Sequence, residues 1–142
     1  MKKIITISRE FGSGGRSIGK AVAQKLNHQY YDKEIIEKIA EETGLSKQFI
    51  EQNGEYARGK NVFIHANMEF KKDRIVNLYG EGREKPEKRL EEKHRKRSVN
   101  YKYDTDKEWG LAKNYHLTLD SSEFGLERCV EIICSLTLKK KE

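Results

Sequence analysis

This chain of 142 residues is poor in the features that would place it in a membrane, outside the cell or on a metal. No run approaches the ~20 apolar residues of a membrane-spanning helix. The opening MKKIITISRE lacks the apolar stretch of a secretory signal, so no membrane is expected among its partners and the cytoplasm is the expected location. The two cysteines, Cys129 and Cys134, lie five positions apart in a helical pattern; they offer no metal spacing and fit a reducing compartment. The four histidines, His28, His65, His94 and His116, are scattered and make no ligand set. No nucleophile stands beside a base in any recognisable spacing. There is one proline, with no low-complexity linker and no internal repeat, and the length fits a single domain over 1–142. Apolar residues are few (35%, mean hydropathy −0.91), yet they recur with helical and strand periods, which argues against disorder.

Positive charge is present in excess, and in one place. Residues 83–102 carry nine Lys/Arg against four Glu, a net +5 of the chain's +6. Such a cluster points to a polyanionic ligand. Its helical spacing puts Arg89, Lys93 and Arg97 on one face. The apolar stripe is thin, Leu90 and Val99, so the segment is expected to pack weakly and remain mobile. Nucleic acid is not expected as a partner, since Tyr101 and Tyr103 are the few stacking groups nearby and no nucleic-acid module is recognisable.

Strands are expected at Ile4–Ser8, Val62–His65 and Tyr115–Leu119, the first of them interior to a parallel sheet. Helices are expected after Gly15, over Lys33–Glu42, briefly after Ser46 around Phe49 and Ile50, over Met68–Tyr79 and after Asp120, with loop over 53–61. Strands alternating with helices predict an α/β fold.

The most informative stretch is Glu10–Ser17. It aligns with the phosphate-loop pattern G-x-x-x-x-G-K-[ST] at Gly15 and Ser17, with Glu10 for the first glycine and Arg16 for the lysine. Gly12, Gly14 and Gly15 can take backbone angles that let successive N–H groups, Ser13 included, converge on an anion. The helix that follows adds its positive end. Arg16 adds a fixed charge in a planar fork, and the Ser17 hydroxyl is a candidate ligand for Mg²⁺. Glu10 is ambiguous here, able to repel phosphate or to order a metal-bound water.

The block Ser8–Gly19 followed by Tyr31–Ile36 resembles the opening of the cytidylate kinase-like family. Val62–Ala66, Tyr101–Tyr103, Lys107–Gly110 and Asn114–Tyr115 resemble later parts of it. The resemblance implies a three-layer P-loop NTPase-type architecture, a parallel sheet flanked by helices with an Arg-rich helical lid over approximately 83–110. It implies ATP-dependent phosphoryl transfer to a nucleoside monophosphate, CMP or dCMP, with Mg²⁺ carried by ATP. By position, Gly12–Ser17 would hold the ATP phosphates and Asp32 would open the acceptor site. Arg16, Arg89, Arg95 and Arg97 would be the catalytic cations, with Ser17 on the metal. Arg9 stands where the better-known cytidylate kinases carry Asp. The family has a further helix and central strand where this chain has only Gln52–Asn61, so a missing or disordered segment is expected near 56–59. These departures keep a second reading open, a non-catalytic nucleotide- or anion-binding protein derived from such a kinase. The oligomeric state is not legible in the sequence.

Arg16→Ala is expected to weaken ATP binding by about 1–3 kcal/mol, the range for a lost charge-assisted contact. Titration calorimetry reads this directly, and unchanged affinity would remove Arg16 from the site.

Overall fold

The computed structural model describes residues 5–31, 33–44, 60–77 and 86–137. Strand β1 (Ile5–Arg9) leads into α1 (Gly15–Lys25) and α2 (Lys33–Thr43). Strand β2 (Lys60–His65) leads into α3 (Met68–Asn77) and α4 (Pro86–Thr105). A 3-10 turn at Ala112–Asn114 precedes β3 (Leu117–Asp120), the short α5 (Ser121–Phe124) and α6 (Leu126–Ser135). The three strands form one parallel sheet in the order β1-β2-β3, with Ile7 opposite Val62 and Ile64 opposite Leu119. All three strands therefore end on the same edge, at Arg9, His65 and Asp120.

The core explains this arrangement. Val62 and Ile64 share one face of β2 and are fully buried, with Leu119 beside them on β3. Ile18 and Val22 of α1 and Cys129, Val130 and Ile133 of α6 close over that face, so the helical period of each supplies one buried stripe. Phe63 points to the opposite face, where Trp109 meets it edge-on at 5.2 Å and Tyr115 packs at 5.0 Å. Two faces covered by non-strand elements is what a parallel sheet requires.

Several expectations shift. β1 is an edge strand of the described sheet, and β2 is the central one. The composition gives the reason: β2 carries the unbroken apolar run Val62-Phe63-Ile64, buried on both faces. β1 alternates Ile with Thr6 and Ser8 and stays half-buried. β2 begins at Lys60, two residues into the expected loop, because pairing with Ile5 and Thr6 extends the ladder past the apolar run. β3 begins at Leu117 and runs to Asp120. The segment expected to pack weakly forms a 20-residue helix, α4, anchored by Leu90 at 3% exposure and by the polar contacts described below, while Val99 remains exposed. Asp32, the short helix after Ser46, the junction at 56–59 and the Leu78–Tyr79 end of the expected helix lie outside the described residues.

Candidate functional site

The site begins where β1 runs out. The Glu10 N–H donates to the Ile64 carbonyl at 2.9 Å, continuing the ladder by one bond. The chain then turns: the Ser13 N–H and hydroxyl both donate to the Glu10 carbonyl, at 3.2 and 2.7 Å. Gly12 and Gly14 sit at φ of 81° and 83°, a region that favours glycine. Space is as strict as angle, since a Cβ on Gly12 would lie 3.0 Å from the Lys71 carbonyl oxygen and one on Gly14 would lie 2.5 Å from the Leu126 side chain. At Gly15 a Cβ would strike the Arg9 side chain, whose aliphatic stem crosses the loop. Residues 12–15 are buried, while Arg16 and Ser17 open to solvent at the start of α1. No side chain caps α1 through its N-cap residue Gly14, and its first turn carries no acid, so its positive end is left for a ligand.

The loop is not equally available at every position. The Ser13 hydroxyl accepts the Gly15 N–H at 3.3 Å, and Ser13 is wholly buried. Its side chain and its N–H, which donates to the Glu10 carbonyl, therefore both shape the loop.

Glu10 has a definite role in the structure. One carboxylate oxygen accepts from the Ala66 N–H at 3.1 Å and from the Lys71 ammonium at 3.2 Å. The other lies 3.3 Å from His94 Nδ1. With side-chain exposures of 11% for Lys71 and 13% for Glu10, the pair is largely withdrawn from water. The carboxylate is thus paired and held at the base of the loop.

Helix α4 lies across the residues that follow. Arg97 donates to the Arg9 carbonyl at 2.5 Å and sits 5.9 Å from the centre of the Phe11 ring, with the Lys93 ammonium 5.3 Å from the same ring. His94 packs edge-on against Trp109 at 4.9 Å. Arg89 and Arg95 are exposed. Arg95 lines a shallow groove with Glu92, Lys96, Val99 and Asn100, away from Arg97. Two turns of helix, about 12 Å, separate Arg89 from Arg97 along the axis. The structure brings Arg97 to the loop, while Arg89 and Arg95 stand exposed on α4; Asp32 lies outside the described residues.

Two contributors were missed in the sequence. The Arg74 guanidinium lies against Gly14, 3.4 Å from where a Cβ would be, and its Nε is buried with no hydrogen-bond partner. The available signal was spacing: Lys71, Arg74 and Ile75 follow Asn67 at one helical face, and Asn67 caps α3 by accepting the Phe70 N–H at 2.8 Å. The other is Ser121, fully buried, whose hydroxyl reaches the Ser13 carbonyl at 2.5 Å. Beside it, Asp120 caps α5. Hydrogen bonding from the Ser122 hydroxyl, helped by the Ser122 and Glu123 N–H groups, holds the Asp120 carboxyl below its ordinary range against the opposing effect of burial. Burial pushes the Cys129 and Cys134 thiols up, so neither is an activated nucleophile.

A parallel sheet whose first strand opens through a glycine loop into a helix N-terminus is the P-loop arrangement. The chain belongs to the cytidylate kinase-like family, whose model matches residues 4–61 and 56–123. The two matched ranges overlap at 56–61. The fold is similar to the crystal structure of an uncharacterized protein from Eubacterium ventriosum, with a TM-score of 0.83 at 18% identity over 95% of this chain and 98% of that one. It is also similar to shikimate kinase from Bacteroides thetaiotaomicron, with a TM-score of 0.50 at 16% identity over 93% and 96% of the two chains. At such identities the likeness concerns the fold alone. No curated protein matches the sequence. No described helix is long and apolar enough to cross a membrane.

Glu10→Gly restores the first glycine of the loop pattern and yet is expected to destabilise the protein by about 1–3 kcal/mol, because it strips the acceptor from the Ala66 N–H and from Lys71. A lower urea midpoint confirms this. An unchanged or higher midpoint would mean that the carboxylate is not part of the loop's support.

Proposed function

We propose that the protein transfers the γ-phosphoryl group of ATP to a nucleoside monophosphate, CMP or dCMP, with the variant loop holding the ATP phosphates. The observation that carries this is the buried turn at Gly12–Gly15 opening onto the N-terminus of α1, with Arg16 beside it, Arg74 against Gly14 and Arg97 at its base. Membership of the cytidylate kinase-like family supports the substrate class.

Phosphoryl transfer asks little covalent chemistry of a protein and much alignment of positive charge. An acceptor phosphate oxygen attacks the γ-phosphorus as the bond to the β-bridging oxygen breaks, and ADP leaves. In this chain the loop N–H groups and Arg16 bind and orient the triphosphate. Arg97, carried by α4, meets the charge that develops on the transferring group. Arg89 and Arg95 join it only if α4 acts as a lid that moves on binding. Glu10, paired with Lys71, adds no net repulsion at the loop. The donor set fits a Mg²⁺ that arrives with ATP: the Ser17 hydroxyl is available to it, and the described residues contain no cluster of three acidic, histidine or cysteine ligands for a resident ion. Such a metal supplies charge neutralisation at the phosphates. Asp32 is assigned to the acceptor site by its place in the family pattern alone.

A second reading, a nucleotide or anion sensor without catalysis, is favoured by one observation. Arg97 already donates to the Arg9 carbonyl and stacks toward Phe11, a structural engagement it would have to loosen to serve a substrate.

A coupled assay with ATP and a panel of monophosphates separates the two. The kinase reading expects turnover with a pyrimidine monophosphate and a kcat lower by about 10²–10⁵ in Arg97→Ala, the range from one lost donor to a lost arginine finger, with a smaller change in KM for ATP. Arg97→Lys should recover only part, and Lys96→Ala should change little. ATP binding without turnover on any monophosphate would leave the sensor.

A further inference from the structure

The Ser121 hydroxyl is completely buried and belongs to a four-residue helix, 108 positions from the loop it touches. It has one hydrogen to give and two carbonyls within reach, Ser13 at 2.5 Å and His65 at 3.2 Å. The shorter contact assigns that hydrogen to Ser13. In a trans peptide the C=O and N–H of one unit point in opposite directions. A carbonyl of Ser13 held toward Ser121 therefore turns the N–H of Gly14 the other way, out of the protein's own hydrogen-bond network. The Gly14 N–H donates to no described residue, whereas the neighbouring Gly15 N–H is taken by the Ser13 hydroxyl.

We infer that Ser121 is a positioning residue for phosphate binding: by fixing the Ser13 carbonyl, it aims the Gly14 N–H at an anion in the loop. The need for such a fixture follows from Gly14 itself. A glycine accepts either sign of φ at little cost, so the Ser13–Gly14 peptide can flip readily. Flipped, it would present a carbonyl oxygen where an anion needs a donor. The freedom that lets residue 14 cap α1 at φ 83° is the same freedom that must be restrained from outside. Ser121 stands at the end of β3 and beside the end of β2, so its restraint also ties the loop to the two other strand ends.

The inference rests on the proposal that the loop binds nucleotide phosphates. Its test uses inorganic tripolyphosphate and ATP as probes, followed through the Gly14 amide resonance of the ¹⁵N-labelled full chain. In Ser121→Ala the ligand-free Gly14 amide should already be displaced, and both anions should bind about 5- to 50-fold more weakly, the loss of one well-placed donor. Ser121→Cys has nearly the same volume with a weak donor, so it should follow the alanine variant, and it serves as the test if the small cavity left by alanine prevents folding. Ser121→Thr keeps the hydroxyl and should bind more tightly than either. A merely structural role would lower the melting temperature without moving the Gly14 resonance or the anion affinity. Wild-type affinity with an unmoved Gly14 resonance in the alanine and cysteine variants overturns Ser121's role alone and leaves the proposed function standing. A wild-type protein that binds neither anion overturns both.

Discussion

The arrangement depends on one carboxylate. Glu10 occupies the position at which the phosphate-loop pattern has a glycine, and a charge buried there must be matched on the spot. Lys71 matches it from α3, the Ala66 N–H from the β2–α3 junction and His94 from α4. The substitution thus turns a bare turn into a junction where β1, β2, α3 and α4 meet. The loop inherits its rigidity from that junction, because its first turn closes on the Glu10 carbonyl.

The distribution of the remaining cations follows. Lys71 is spent on Glu10, and Arg97 is drawn to the strand end where His94 already touches the same carboxylate. Helix α4 is consequently docked residue by residue on Arg9, Glu10 and Phe11, even though its apolar stripe is thin. Polar and cation–π contacts substitute there for hydrophobic area, each of them modest on its own. Such a dock is compatible with a helix that shifts when a polyanion competes for its cations.

How much of this was legible in the sequence can be judged residue by residue. The loop between Phe11 and Ser17, the β-branched runs and the stripe of Ile18 and Val22 follow from periodicity and glycine spacing, which are local signals. The family likeness was legible in the Ser8–Gly19 block for the same reason. What lay beyond reach is long-range. Nothing near Glu10 in the sequence announces Lys71 or His94, and nothing near Ser13 announces Ser121. β1 was expected to be interior from its β-branched run, whereas the longer apolar run of β2 makes that strand the central one of the described sheet. Arg89, Arg95 and Arg97 were grouped by their place in the family pattern, and the contact of Arg97 with the Arg9 carbonyl, 88 positions away, has no local signal.

The central claim is that the turn after β1 holds nucleotide phosphates on backbone N–H groups. A crystal structure of the full chain with Mg²⁺ and a non-hydrolysable ATP analogue tests it most directly. The account predicts the β-phosphate inside the Gly12–Ser17 turn, within hydrogen-bond distance of the Gly14 N–H, at the N-terminus of α1, with Arg16 at its edge. An analogue bound elsewhere, with the turn left empty at saturating concentration, would contradict it.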